Sequence, residues 1–150
     1  MMAGWAESLG NPPLHHVGVV VRSEKKALAQ MARLGLQEDF RGYVARWDVL
    51  CIFAAGNGAS PIEFVVPYSG PLLQFNQGLG GLHHIALVVP DLAQSMAELA
   101  ASGVKMLEDE PVQGAGDFLC NFLPPIFTQG FAVELVQLQP ASTPVPRARP

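Results

Sequence analysis

The segment LHHVGVVV at residues 14–21 returns as LHHIALVV at residues 82–89. The residues after each copy are also alike in pattern, so the chain is expected to fold as two copies of one unit. After the first copy, Ser23 is placed to cap a helix over 24–34. Ala27, Leu28, Met31, Ala32 and Leu34 recur there at helical spacing, and Gly35 stands where a helix-ending glycine belongs. Strands are expected over 36–45, 47–54 and 61–66, with Gly56-Asn57-Gly58 as the turn between the last two. After the second copy, Asp91 caps a helix over 92–102, with Leu92, Met96, Leu99 and Ala100 on one face and Gly103 closing it. Strands are expected over 104–108, 117–123 and 131–138. Two copies are too few for a solenoid.

The pattern predicts an α+β fold. Two tandem β-α-β-β-β modules, 14–66 and 82–138, form a curved sheet around a cleft within a single domain spanning 14–138. Residues 1–13 and the proline-rich 139–150 are expected to be flexible tails. Hydrophobic residues make up 49% of the 150-residue chain and charged ones 15%, which excludes a disordered protein. The net charge is −4, and no basic cluster exceeds Arg147 with Arg149, so nucleic acid and anionic membranes are not expected partners. No apolar run is long enough to cross a bilayer, and MMAGWAESLGNPP lacks the features of a secretory signal. Two cysteines make no disulfide framework, which suggests a reduced, cytoplasmic setting. A small molecule in the cleft is the expected partner.

Strand alternation sorts the side chains. Val17, Val19 and Val21 face the first helix, and His16, Gly18 and Val20 face the cleft. In the second copy Ile85, Leu87 and Val89 face the helix, and His84, Ala86 and Val88 the cleft. Each cleft histidine thus has a very small neighbour. Glu63 in PIEFVVP and Glu134 in FAVELVQ repeat on the last strands of the two modules. Buried carboxylates are costly unless paired or bound to a cation, so His16, Glu63, His84 and Glu134 are read as a metal site. Two imidazoles and two carboxylates suit a divalent Co, Ni, Zn, Mn or Fe ion, with two positions of an octahedron left for water or substrate oxygens. Parity places His15 and His83 on the helix side or at the strand ends, as structural or supporting residues. Cys51 and Cys120, on the third strand of each module, are either small core residues or part of the cleft wall. Trp47, Arg46 and Arg41 are further candidates for contact with substrate, the arginines for an acidic group.

These residues resemble the vicinal oxygen chelate superfamily, which includes glyoxalase I, extradiol dioxygenases, bleomycin-binding proteins and methylmalonyl-CoA epimerase. The resemblance covers residues 14–138, is carried by LHHVGVVV, IEFVVPYSGPLLQFNQGLGGLHHIALVVPDL and FAVELVQ, and is most specific from Glu63 through Pro71 and Phe75 to the His83-His84 pair. Within the superfamily the chain is most similar to methylmalonyl-CoA epimerase. The resemblance implies a metal-dependent isomerase or epimerase that removes a proton beside a carbonyl or thioester through a metal-stabilised enolate. It implies metal ligands at His16, Glu63, His84 and Glu134, with Glu134 also an acid/base, an acyl-CoA thioester as substrate and a homodimer. A glyoxalase I-like lyase, or a binding or resistance protein of the same fold, are the alternatives. Two stretches depart from the epimerase pattern. WDVLCIFAA has Cys51 or a neighbour where some epimerases carry a second glutamate base. FLPPIFTQG lacks the histidine and lysine of the corresponding epimerase segment.

Overall fold

The protein is described by a computed structural model covering residues 5–55 and 61–140. The turn expected at Gly56-Asn57-Gly58 and most of the C-terminal tail lie outside these residues. In chain order the elements are α1 (Ala6–Leu9), β1 (Leu14–Val20), α2 (Glu24–Leu34), β2 (Gln37–Val44), β3 (Val49–Ala55), β4 (Ile62–Pro67), β5 (Gly81–Val88), α3 (Leu92–Ala101), β6 (Val112–Gln113), β7 (Phe118–Leu123) and β8 (Ala132–Leu138). No helix among them is long and apolar enough to cross a membrane.

The two long helices begin and end where their capping residues dictate. The Ser23 hydroxyl accepts from the Lys26 amide at 3.2 Å and the Asp91 carboxylate from the Gln94 amide at 3.0 Å. Each such cap stabilises its helix by roughly 1 kcal/mol. Gly35 ends α2 in the left-handed region at φ 69°. The α2 face carrying Ala27 and Met31 packs on Ile52, Ala54, Phe64 and Val66. The α3 face carrying Leu92 and Leu99 packs on Leu123, Val133 and Leu135. Both helices therefore cover the convex side.

All eight strands form one sheet in the order β2-β3-β4-β1-β5-β8-β7-β6. It curls into a half-barrel. β1 and β5 meet antiparallel at its centre, and each runs parallel to its own module's last strand, β4 or β8. The edges of the curl approach each other: Gly42 on β2 lies so close to Ala115 that a Cβ at position 42 would sit 2.0 Å from the Ala115 carbonyl oxygen. Phe53, Val65, Ala86, Phe118, Cys120 and Val136 line the concave side.

Three expectations need correcting. Part of the region expected as a flexible tail, residues 5–9, instead makes a helical turn, α1, whose Leu9 is buried and packs with Trp5 against the α3 cluster. The strand expected over 104–108 does not form. Val104 and Met106 are drawn into that same cluster, and the short strand of module two comes later, as β6. The fully buried Asn121 side chain takes over the job of a ladder there: it donates to the Glu108 carbonyl at 2.8 Å and accepts from the Glu108 amide at 3.1 Å. Thirdly, His15 and His83 do not follow strict parity. The β1–β5 register slips at each of them, so each is the extra residue of a β-bulge and turns toward its neighbour, His16 or His84.

Candidate metal centre

The central ladder places the four candidate groups. Gly18 pairs with Glu63 on one side and His84 on the other, and Ala86 pairs with His16 and Glu134 in the same way. Each small residue thus separates a histidine from a carboxylate and leaves the space above it free. At Gly18 that space is needed in full, since a Cβ would sit 1.9 Å from the His84 ring.

In that space four side chains converge. His16 Nε2 and His84 Nε2 are 3.1 Å apart. Glu63 Oε2 lies 3.2 Å from both, and Glu134 Oε2 lies 2.9 Å from His16 and 3.2 Å from His84. One ligand atom from each residue lies within 4.8 Å of all the others, and none of the four residues is more than 5% exposed. Adjacent ligands of a cation bound at about 2.1 Å lie about 3 Å apart, so the spacing fits one ion at the common centre. A second observation supports the fit. Glu134 Oε2 is buried and has no hydrogen-bond partner, although two ring nitrogens are within contact distance. The four groups face a shared point, where either protonated imidazoles or a cation would meet that oxygen, since a buried carboxylate oxygen left unmatched is costly.

The electrostatics agree. Burial would lower both imidazoles, but the two carboxylates outweigh it and raise His16 and His84 to about 9. Burial would raise the carboxyls, and the two imidazoles hold Glu63 and Glu134 below their ordinary range instead. A metal held here would compete with protons for the two rings. Burial, reinforced by the neighbouring imidazolium, lowers His15, and lowers His83 to about 4, so both stay neutral.

The centre lies against a cavity of about 440 Å³ bordered by His83, His84, Glu63 and Glu134, with walls mainly of Val44, Trp47, Val65, Leu72, Phe118 and Phe122. Cys51 and Cys120 are buried core residues and cavity wall at once. Burial, and then the nearby Glu63 and Glu134 carboxylates, push their thiols up, so both remain protonated. Trp47 borders the cavity and donates from Nε1 to Glu108 at 2.9 Å. Arg46 also borders it, but its guanidinium is engaged by Glu108 at 2.6 Å. Arg41 does not border it: it pairs with Glu24 and Glu38 on the exposed side of β2, so it is not placed to meet a ligand there.

Sequence reasoning passed over the aromatic frame. Phe53 meets the His16 ring edge-on at 5.0 Å, and Phe122 meets His84 in the same way at 5.1 Å. The two phenylalanines are separated in sequence by the same interval as Cys51 and Cys120, so the repeat offset carried the signal.

The model of the Glyoxalase/Bleomycin resistance protein/Dioxygenase superfamily matches residues 15–122. An uncharacterized protein of Bacillus subtilis, YqjC, is 30% identical over 128 residues, covering 83% of this chain and 91% of that protein. Among solved structures, a hypothetical protein of Bacillus halodurans is 29% identical with a TM-score of 0.75, covering 89% of this chain and 99% of that one. Streptomyces coelicolor methylmalonyl-CoA epimerase in complex with 2-nitronate-propionyl-CoA is 25% identical with a TM-score of 0.76, at the same coverage.

Proposed function

The chain belongs to the Glyoxalase/Bleomycin resistance protein/Dioxygenase superfamily, and on that premise we propose that it is a metal-dependent isomerase that removes and returns a proton beside a carbonyl or thioester, in the manner of an epimerase. The observation that carries this reading is the convergence of His16, Glu63, His84 and Glu134, with its orphaned carboxylate oxygen, at the edge of an apolar cavity. These four residues would hold a divalent ion of the Co, Ni, Zn, Mn or Fe kind. Bound there, such an ion supplies a Lewis acid that polarises a carbonyl oxygen and makes the adjacent C–H more acidic.

The chain's own residues do the rest. Glu134 is the carboxylate that takes the proton, and the configuration inverts when a proton returns to the opposite face of the substrate. As a carboxylate it is ionised at neutral pH and so available as a base. Cys51 and Cys120 stay protonated and act as walls. Val44, Val65, Leu72 and Phe118 exclude water from the reacting atoms and favour an apolar substituent on the substrate. The only arginine or lysine bordering the cavity among the described residues, Arg46, is already neutralised by Glu108, so binding depends on the substrate's oxygens and apolar surface. An acyl thioester meets these requirements, and the similarity to a methylmalonyl-CoA epimerase supports that class.

The test is α-proton exchange from a 2-methyl-substituted acyl thioester in D₂O by Co²⁺-loaded protein. Glu134→Gln should slow exchange by at least about 10²-fold while leaving thermal stability far less affected. A parent that binds Co²⁺ yet turns over a methylglyoxal–thiol adduct, without exchanging the thioester, would replace this reading by the lyase.

A further inference from the structure

We propose that His15 and His83 are positioning residues: each fixes which ring nitrogen its neighbour, His16 or His84, presents to the cation, given the reading of the four-group cluster as a cation site. The geometry is the same in both modules. His15 Nδ1 lies 2.7 Å from His16 Nδ1, and His83 Nδ1 lies 2.9 Å from His84 Nδ1. The rings of each pair meet edge-on, with centroids at 5.0 and 5.2 Å. Only one proton fits between two nitrogens so close. His16 and His84 turn their Nε2 atoms to the centre, and a ring that ligates through Nε2 keeps its proton on Nδ1. The Nδ1–H of each ligand histidine therefore donates to the Nδ1 of the bulged histidine before it, which carries its own proton on Nε2.

Two features separate this arrangement from filler. A bulged residue has to be accommodated, and here both bulges fall on the one residue that can reach the ligand's far nitrogen. Each supporting ring is also held in place by aromatic neighbours: His15 by Phe118 at 5.5 Å and Phe53 at 6.5 Å, His83 by Phe75 at 4.9 Å and Phe122 at 6.2 Å. The choice of acceptor is set by charge. A ligand histidine is often supported by a carboxylate. Glu63 and Glu134 already balance a dication, so two more carboxylates would leave a buried centre with net negative charge. A neutral imidazole accepts the same hydrogen bond and adds no charge.

The experiment compares His15→Phe and His83→Phe, which keep a ring but remove the acceptor, with His15→Asn and His83→Asn, whose Oδ1 stands close to the lost Nδ1. Co²⁺ affinity is read by competition with a chelator, and melting of the cation-free proteins shows that each variant is folded. The phenylalanine variants should bind Co²⁺ roughly 10–100-fold more weakly, the loss typical of removing such a support, and the asparagine variants should recover most of it. ¹⁵N NMR of the Zn²⁺-loaded parent gives a readout that needs no variant: protons on Nδ1 of His16 and His84, and on Nε2 of His15 and His83. Folded phenylalanine variants that bind Co²⁺ like the parent, or a proton found on Nδ1 of His15 or His83, overturn the proposal. A parent that takes up neither Co²⁺ nor Zn²⁺ overturns the cation site itself, a failure distinguishable from the first.

Discussion

Module one and module two agree closely around the centre and diverge away from it. Each supplies a bulged His-His pair, a carboxylate one strand over and a phenylalanine set edge-on to the inner histidine. Yet β2 of module one is eight residues long, while its counterpart β6 has two, and the chain before β6 is tied to β7 through Asn121. The cavity tracks the divergence. It is bordered by His83 and Phe122 of module two but not by His15 and Phe53, their equivalents in module one. Duplication thus supplies the four-group cluster, and departure from duplication shapes the space beside it.

That comparison can be tested at four points. The largest effect should come from the ligands: His16→Ala and His84→Ala should each abolish stoichiometric Co²⁺ binding in a titration, and equally, because the modules contribute equally. The spacers should break the symmetry. Gly18→Ala drives a methyl into the His84 ring, which should cost about 1–3 kcal/mol in denaturant unfolding and weaken Co²⁺ binding as well. Ala86→Gly should cost only about 0.5–1 kcal/mol. Asn121→Ala probes what module two alone has. Losing the partner of the Glu108 amide and carbonyl should cost roughly 1–3 kcal/mol, with Co²⁺ affinity unchanged.

The most gradual effect is that of pH on the cation-free protein. His16 and His84 stand at about 9, against an ordinary 6.5. Their contribution to stability is complete below about pH 6.5 and is lost as pH rises through about 9. Glu63 and Glu134 are lowered from 4.5, so their contribution is present above that value and lost as pH falls through their folded-state range. Melting temperature should therefore peak between about pH 4.5 and 6.5. The Co²⁺-loaded protein should instead gain stability from about pH 6 to 8, because binding needs both rings deprotonated. A cation-free protein whose melting rises steadily to about pH 9 would break the assignment of the two imidazolium groups.

Local chemistry made the helices readable: Ser23, Asp91 and Gly35 mark their boundaries without help from the rest of the chain. The site residues were readable because two copies of one pattern carry two copies of each group, and strand parity sends His16 and His84 the same way as Glu63 and Glu134. Parity misled at His15 and His83. A bulge depends on how two strands pair across 68 residues of chain, and nothing adjacent to either histidine announces it. The stretch 104–108 carries Val104 and Met106 at strand spacing, but its end is held by Asn121, whose two bonds to Glu108 join residues 13 apart and leave no local mark in the sequence. Charge alone makes Arg41 and Arg46 candidates, and only the fold brings Glu24, Glu38 and Glu108 to neutralise them.

The seam between β1 and β5 gives each half custody of the other's inner histidine. Gly18 makes room for His84, and Ala86 stands across from His16. The first half cannot grow a side chain at Gly18 without displacing the second half's imidazole, so the two repeats are not free to drift independently. Severed at the connection between β4 and β5, neither fragment would retain more than one histidine and one carboxylate of the set, and ion capture would return only on reassembly.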